Sequence, residues 1–429
     1  METNAFRCNK FCEIPEIRNM RIALPNKLPQ VGHSIFTVMS QKASELSALN
    51  MGQGFPEFSP PEELMKAVHS SMEAGFNQYP PMPGYMDLRE IIAQREQQIH
   101  GNSLNPESEI TVVPGATAGI FTVFQALIQA GDEVIIIEPA YDSYRPAIEL
   151  AGGKVVGVSI NFQSNIENPE LFESSEVVFP WQKLKESINE KTRWIVINTP
   201  HNPLGFTFKE TDWTQLWEII QNYSIGIISD EVYEHMVFDG KKHVSVLNMP
   251  ELRERSVKIS SFGKTFHCTG WKMGYIAANA EITQSIRMVF QYLAFATNSA
   301  MQKGITQFMQ LNPNWETELN LFYQKKRDLF LRELHGCDSI NSTKPSWKTL
   351  NCEGSYFQVL KYNTQDIPKL GEIKSDLDMA MWLIRSAGIA TIPIDSFIQG
   401  QPQTGCLRIC FAKNEDTIIK AAKLLNQVL

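Results

Sequence analysis

The chain has 429 residues, of which 43% are hydrophobic and 20% are charged, and its formal net charge is −8. This length can hold two domains with a large core, and the composition is that of an ordinary globular enzyme. The acidic balance disfavours nucleic acid as a main partner, and no apolar run reaches the roughly 18 residues that a membrane-spanning helix needs.

The seven cysteines match no zinc-binding or CxxC spacing, so the sequence predicts neither a metal site nor a closed set of disulfides. A reducing, cytoplasmic location fits this pattern. Residues 1–19 mix acidic and basic side chains without an apolar core, unlike a secretory signal or a transit peptide. We expect them to be a disordered extension or the product of a misassigned start.

Short β-branched runs alternate with helix-like segments such as Ile120–Ala130 and Thr211–Gln221 between about residues 85 and 300. Each run is nearly continuous in apolar residues, as in strands buried on both faces of a sheet. The alternation predicts an α/β domain with a mostly parallel sheet, whose ligands bind beyond the carboxyl ends of the strands. The predicted strands are Thr111–Val113, Val134–Ile137, Trp194–Asn198, Ile225–Ser229 and Val257–Ser260.

The pattern changes after about residue 305, where long amphipathic helical segments are mixed with short strands. This texture predicts a smaller α+β unit. Its predicted helices are Asn314–Leu334 and Ile373–Ala387, and its predicted strands are Tyr356–Leu360 and Leu407–Phe411.

The change of pattern near residue 305 predicts two domains. We expect a large domain over residues 66–305 and a small domain formed by residues 20–65 together with residues 306–429. The polar, acidic stretch 161–182 is typical of a surface insertion.

One lysine, Lys264, lies in a turn of small and hydroxylated residues directly after an apolar strand. A desolvated lysine loses its proton more easily and becomes a nucleophile toward carbonyls, such as the aldehyde of pyridoxal phosphate. Ser261 and Lys272 in the same segment would suit the phosphate of that cofactor. The alternative is a surface lysine in a Ser/Thr loop. The residues at the ends of the other strands are the evidence against that alternative.

Those strand ends carry groups that pyridoxal phosphate needs. Asp230 follows an apolar strand and would keep the pyridine nitrogen protonated, although a turn aspartate is the alternative. Tyr233 and Asn202 could donate hydrogen bonds to the phenolate oxygen, and Tyr141 could cover a ring face or merely pack.

Two further features concern anions. Gly115, Ala116 and Thr117 lie between a strand and a helix, where small residues let backbone N–H groups approach a phosphate. Arg408 lies among apolar residues on a predicted strand, so a substrate carboxylate or an internal Asp or Glu must pair with it.

From about Leu28 to the carboxyl terminus, the chain resembles the class I aminotransferases of pyridoxal-phosphate fold type I. Within them it is most similar to the branch that holds bacterial methionine aminotransferases and kynurenine/glutamine aminotransferases. The resemblance rests on NMGQGFPEF, NQYPPMPGYMDLR, EPAYDSY, NTPHNPLG, SDEVYEH, SSFGKTFHCTGWKMGY and LRICFAK.

The resemblance implies a large domain with a seven-stranded, mostly parallel sheet and a smaller α+β domain. It implies that Lys264 forms a Schiff base with pyridoxal 5′-phosphate and that the other groups named above hold the cofactor and the substrate carboxylate. It also implies a homodimer in which Tyr79 and Phe295 reach into the partner's site, with Gly54 and Phe36 near the substrate.

The expected reaction moves the α-amino group of methionine or an aromatic amino acid to a 2-oxo acid by ping-pong kinetics. An alternative with the same residues is a cysteine-S-conjugate β-lyase or kynurenine–oxoglutarate transaminase. A regulatory protein with an aminotransferase-like domain is disfavoured because the segment ahead of the match is too short for a DNA-binding domain. A degenerate relative is disfavoured because every catalytic position is filled.

Overall fold

The structure, a computed structural model, describes residues 26–28, 32–160, 176–336, 347–363, 373–400, 402 and 404–428. The predicted extension 1–19 and residues 161–175 of the predicted insertion lie outside the described residues. The rest of that insertion, residues 176–182, is not a free surface loop. Phe179 lies half-buried, with its ring 4.3 Å from Trp181 and 5.0 Å from Phe208.

A seven-stranded sheet forms the centre of the molecule and confirms the predicted α/β fold. Its strands lie in the order β2-β8-β7-β6-β5-β3-β4, and β8 alone runs antiparallel to its neighbours. These strands are β2 Ile110–Val113, β3 Glu133–Glu138, β4 Lys154–Ser159, β5 Thr192–Asn198, β6 Gly226–Asp230, β7 Ser256–Ser260 and β8 Gly274–Ala278.

Five of these strands match the predicted ones within a few residues, and two were missed. β4 lies at the edge of the sheet with an exposed, glycine-interrupted pattern, and β8 is rich in alanine. Lysine, glycine and alanine interrupt the β-branched and aromatic residues of both strands, so pairing in the sheet decides their structure.

The carboxy-terminal part of the chain adds a four-stranded antiparallel sheet in the order β12-β13-β10-β9. A short parallel pair, β1 with β11, joins the amino-terminal segment to this part. The domain limits drawn from the sequence stay a prediction. These strands are β1 Leu49–Asn50, β9 Lys348–Thr349, β10 Phe357–Lys361, β11 Ile389–Ala390, β12 Ile392–Pro393 and β13 Cys406–Cys410.

Helices cover both faces of the large sheet and pack on the smaller one. The first helix, Ile35–Glu45, packs on β1, β11 and β12. In the large-sheet region the helices are Glu62–Glu73, Met86–Arg95, Ala116–Leu127, Tyr144–Leu150, Trp181–Ser187, Glu210–Ile220, Pro250–Arg253, Phe262–Thr265, Ala280–Leu293 and Ser299–Leu311. Further along the chain they are Trp315–His335, Asp376–Ala387 and Glu415–Asn426. No helix among the described residues is both long and apolar enough to cross a membrane.

Local sequence accounts for both ends of the helix Asp376–Ala387. At Asp376–Ala387, the Ser375 side chain accepts a hydrogen bond from the Asp378 N–H, and two aspartates lie in the first turn. Gly388 ends the helix at a φ of +66°. A hydroxyl cap, acids at the positive end of the dipole and a left-handed glycine are the standard signals of a short helix.

Candidate active site

A cavity of about 300 Å³ opens where the carboxyl ends of the large-sheet strands face the smaller sheet. Thirteen of the fifteen residues singled out in the sequence line this cavity, although they are spread along the chain from residue 36 to residue 408. They are Phe36, Gly54, Gly115, Ala116, Thr117, Tyr141, Asn202, Asp230, Tyr233, Ser261, Lys264, Lys272 and Arg408.

Lys264 lies on the helical turn Phe262–Thr265, directly after β7. Its Nζ donates hydrogen bonds to the Tyr356 hydroxyl at 2.8 Å and to the Gly54 carbonyl at 3.3 Å. Burial is the main cause that lowers the pKa of Lys264 to about 8, and the positive charges of Arg408 and Lys272 act in the same direction. The amine of Lys264 therefore loses its proton at a lower pH than that of an exposed lysine.

Asp230 is the last residue of β6 and is buried at the edge of the cavity. Its Oδ2 accepts a hydrogen bond of 2.6 Å from the Tyr144 hydroxyl. Burial raises the pKa of Asp230 to about 6, while the Tyr144 hydrogen bond lowers that pKa and limits the rise. A protonated ring nitrogen placed beside this carboxylate would supply the counter-charge that it lacks.

The strand-to-helix turn after β2 forms one wall of the cavity. Gly115 caps the helix Ala116–Leu127 with a φ of +83°, and a Cβ atom added there would lie 3.2 Å from the Lys272 Cε. The positive φ and this close approach both favour glycine. The helix N-terminus, Thr117, Ser261 and the Lys272 ammonium thus border one part of the cavity, which suits an anion.

Arg408, in the middle of β13, is only 1% exposed. It donates to the Asn202 side-chain oxygen at 2.8 Å and to the Gly52 carbonyl at 2.7 Å, and its guanidinium lies 4.0 Å from the centre of the Phe357 ring. Within the described residues its Nε has no partner, and no Asp or Glu oxygen lies within 4.0 Å of it. Arg408 therefore forms no ion pair with an Asp or Glu in this part of the chain, although the charge of Asp142 acts on it from a greater distance, and a ligand carboxylate fits the site.

Tyr79 and Phe295 are the two predicted residues that do not line the cavity. They are 83% and 50% exposed, and their rings lie edge to face at 5.4 Å. Phe295 has a φ of +62°, which is unusual for a bulky residue. Their expected contact with a second copy of the chain stays a prediction.

Sequence reasoning missed two tyrosines beside the site. Tyr144 belongs to the same EPAYDSY segment as Tyr141, begins the helix Tyr144–Leu150 and donates its hydroxyl to Asp230 at the end of β6. Tyr356 precedes β10, and the sequence predicts it only as part of an apolar strand, yet its hydroxyl contacts the Lys264 amine. In both cases the sequence shows the aromatic ring but not the distant group that its hydroxyl meets.

A buried ionic cluster lies behind the site and was also missed. The Lys258 Nζ lies 2.5 Å from both Glu96 and Glu234 and 3.7 Å from Glu231. Glu234 also accepts from the Ser260 hydroxyl, one residue before Ser261. The carboxylates and nearby histidines are close enough to serve as metal ligands, but the Lys258 ammonium already supplies the positive charge between them.

Comparison with known proteins agrees with this geometry. The family model described as aminotransferase class I and II matches residues 47–425. Methionine aminotransferase of Escherichia coli is 39% identical over 94% of this chain and 98% of its own length. Kynurenine–oxoglutarate transaminase 1 of Mus musculus is 32% identical over 91% and 94%, respectively.

Solved structures show the same fold. An Escherichia coli protein whose crystal structure and reactivity identified a methionine aminotransferase function superposes with a TM-score of 0.85 at 38% identity, over 95% of this chain and 100% of that one. N-succinyldiaminopimelate aminotransferase of Mycobacterium tuberculosis gives a TM-score of 0.84 at 29% identity, with the same coverage. The chain therefore belongs to the class I and II aminotransferases and is an amino acid aminotransferase.

Proposed function

We propose that this aminotransferase uses pyridoxal 5′-phosphate and that its preferred amino donor is methionine or an aromatic amino acid. The observation that carries the proposal is the buried Arg408, which has no carboxylate partner among the described residues and lies in the same cavity as Lys264 and Asp230. A substrate carboxylate would supply the missing partner.

The residues of the cavity fit this cofactor. Gly115, Ala116, Thr117, Ser261 and Lys272 would hold its phosphate, since they combine a helix N-terminus, a hydroxyl and an ammonium. Asp230 would pair with the pyridine nitrogen, Asn202 and Tyr233 would donate to the phenolate oxygen, and Tyr141 would cover the ring. The bound group supplies an electron sink for the α-carbon of the amino acid.

Two groups of the chain then do the remaining work. Arg408 binds the α-carboxylate and so fixes the α-carbon in the cavity. The Nζ of Lys264, with its pKa near 8, would accept the proton from that carbon and deliver it to the carbonyl-derived carbon of the cofactor in the first half-reaction, and it would move a proton the opposite way in the second. An amine whose pKa lies close to the working pH is well matched to both steps.

The apolar surroundings of Arg408 favour an uncharged side chain on the donor. Phe36 and Phe357 line the cavity, with ring centres 5.0 Å and 4.0 Å from the guanidinium. Aromatic rings suit thioether and aromatic groups. Among the described lining residues Arg408 is the single arginine, so a distal carboxylate lacks a matched partner. Phenylalanine, tyrosine, kynurenine and glutamine are the further donors expected beside methionine.

We also propose a homodimer and a cytoplasmic location. The exposed ring pair of Tyr79 and Phe295 supports the dimer, because large exposed aromatic surfaces often mark an interface. The buried free thiols of Cys268, Cys352 and Cys410 favour a reducing compartment. Mass photometry tests the dimer, and a monomeric active enzyme would contradict it.

The absorption spectrum of the protein loaded with pyridoxal phosphate tests the cofactor and the donor together. We expect a visible band that fades when L-methionine is added without a 2-oxo acid and returns when the acid is supplied. The Lys264→Ala variant should bind the cofactor without this exchange. A wild-type protein without a visible band would overturn the cofactor assignment, and a higher kcat/KM for aspartate than for methionine would overturn the donor assignment.

A further inference from the structure

Tyr356 lies directly beneath the cavity, although it does not line it. The side chain is completely buried and immediately precedes β10. Its ring packs against those of Tyr233, at 5.1 Å, and Phe357, at 4.8 Å. These contacts are those of a core aromatic residue, and only the hydroxyl sets Tyr356 apart.

The hydroxyl of Tyr356 has a defined hydrogen-bond direction. It donates to the Gly54 carbonyl at 2.6 Å and accepts from the Lys264 Nζ at 2.8 Å. Burial raises the pKa of Tyr356 well above its ordinary value, so the phenol keeps its proton. Because that proton is committed to Gly54, the oxygen offers the lysine only a lone pair.

The free amine of Lys264 therefore meets two acceptors on one side. Its Nζ donates to the Tyr356 hydroxyl and, at 3.3 Å, to the Gly54 carbonyl. A neutral primary amine has two N–H bonds and one lone pair. When both N–H bonds are used on these acceptors, the lone pair must point away from them, toward the space that Lys264 shares with Arg408 and Asp230.

We propose that Tyr356 is a positioning residue for Lys264: its hydroxyl, fixed by the Gly54 carbonyl, holds the free amine so that the lone pair faces the substrate α-carbon. This inference rests on the proposed function, in which that amine moves the α-proton. A base held in this way is already in the reactive orientation, so proton transfer does not require the amine to lose further rotational freedom.

Tyr323 offers a matched control for this role. It is also completely buried, and its ring centre lies 5.7 Å from that of Tyr356. In the described part of the chain its hydroxyl has no hydrogen-bond partner. Replacing Tyr323 by Phe therefore removes the same atom from the same aromatic cluster without touching the lysine.

In the described part of the chain, Tyr356 is the one tyrosine whose hydroxyl is hydrogen-bonded to the Lys264 amine. The ionisable groups that act on it are Cys410 and Arg408 from β13, Asp230 from β6 and Lys272 from the turn before β8, with Tyr233 facing it through its ring. Neither Phe variant replaces any of these five groups, although Tyr356→Phe also removes the hydroxyl that interacts with the hydroxyl of Tyr233. A change in the titration of Lys264 would thus report the lost hydroxyl.

The first test uses the apoprotein and needs no activity. Acetylation of Lys264 by acetic anhydride is followed by mass spectrometry as a function of pH in the wild type, Tyr356→Phe and Tyr323→Phe. A hydrogen-bond acceptor stabilises an ammonium more than an amine. We expect the midpoint to fall in Tyr356→Phe and to stay unchanged in Tyr323→Phe. An unchanged midpoint in Tyr356→Phe, or equal shifts in both variants, would overturn the proposal.

The second test uses the enzyme loaded with pyridoxal phosphate. At the pH plateau, we expect Tyr356→Phe to lower kcat about tenfold to a hundredfold while the KM for methionine is unchanged, because orientation is lost but binding is not. A rise in KM with unchanged kcat would contradict a positioning role. Should Tyr356→Phe fail to fold, 3-fluorotyrosine at position 356 keeps the shape and weakens the acceptor, and it should shift the Lys264 midpoint in the same direction.

The two proposals fail in different ways. If pyridoxal phosphate is not the cofactor, the wild type shows no visible band on loading, yet the titration of Lys264 in the apoprotein still responds to the hydroxyl. If only the role of Tyr356 is wrong, the wild type transaminates normally and Tyr356→Phe behaves as Tyr323→Phe.

Discussion

The guanidinium of Arg408 donates a hydrogen bond of 2.8 Å to the side-chain oxygen of Asn202, 206 residues away in the chain. This bond joins the smaller antiparallel sheet to the loop that follows β5 of the large sheet. Asn202 is itself held by Asn198, whose side-chain oxygen accepts from the Asn202 N–H at 2.7 Å. The contact therefore sets the distance between the carboxylate-binding and cofactor-binding parts of the proposed site.

Replacing Arg408 by Lys tests this arrangement. Lysine keeps the charge but loses the planar fork, so it cannot hold Asn202, the Gly52 carbonyl and a substrate carboxylate together. We expect kcat/KM for methionine to fall about a hundredfold, mainly through a higher KM. The exposed Arg193→Lys is the control. Steady-state kinetics with an unchanged KM in Arg408→Lys would contradict the assignment.

A second expectation concerns the hydrogen bond between Tyr144 and Asp230. That bond lowers the pKa of Asp230, so Tyr144→Phe should raise it further above about 6. Pairing with a protonated ring nitrogen needs the ionised carboxylate, so affinity for pyridoxal phosphate falls as the pH drops through this pKa. We expect the fall to begin about one pH unit higher in the variant.

Fluorescence titration of the apoprotein with pyridoxal phosphate at several pH values measures this effect. Tyr223→Phe, at an exposed position, is the control and should follow the wild type. Identical pH profiles for Tyr144→Phe and the wild type would show that Asp230 does not govern cofactor affinity.

Much of the site could be predicted because its residues follow directly on recognisable strands. Asp230 ends β6, and Lys264 lies four residues after β7, so the parallel sheet alone brings them to one edge. Arg408 could be predicted as a ligand for an anion because a guanidinium on an apolar strand needs a partner.

The remaining features depend on where distant groups meet, and a single sequence does not show that. The hydroxyls of Tyr144 and Tyr356 find Asp230 and Lys264 through folding of segments 86 and 92 residues away. The sequence could have predicted an ion pair at Lys258, because a lysine in the middle of a strand that is buried on both faces needs acidic partners. Its partners Glu96 and Glu234 come from elements that no local pattern connects to it.

The buried cluster around Lys258 should control stability. Lys258→Met leaves Glu96, Glu231 and Glu234 buried without their cation, and breaking such a group costs about 3–5 kcal/mol. Urea denaturation of the apoprotein measures this loss. The exposed Lys154→Met, also on a strand, should leave the free energy of unfolding nearly unchanged.

A compensating variant sharpens that test. Adding Glu96→Gln and Glu234→Gln to Lys258→Met removes two of the unpaired charges and should recover part of the lost stability. If the triple variant is no more stable than Lys258→Met, the loss comes from packing and not from charge.

The proposed catalytic lysine should itself reduce the stability of the apoprotein. Burial lowers the pKa of Lys264 from 10.5 to about 8, a difference that corresponds to about 3 kcal/mol against the charged form. Lys264→Met should therefore stabilise the apoprotein by up to about this amount at pH 7, while it abolishes transamination. The gain should shrink as the pH rises from about 8 to 10.5, because the wild-type amine then loses its proton in the folded state first.

Urea denaturation of the apoprotein at pH 7 and at pH 10 measures both the gain and its decline. Lys183→Met, at an exposed helical position, is the control and should show neither. A Lys264→Met variant that is less stable than the wild type at pH 7 would mean that the contacts of the ammonium with Tyr356 and Gly54 outweigh its desolvation. The expected result would instead show that Lys264 lowers the stability of the apoprotein. A reactive amine requires burial, and the same burial destabilises its charged form.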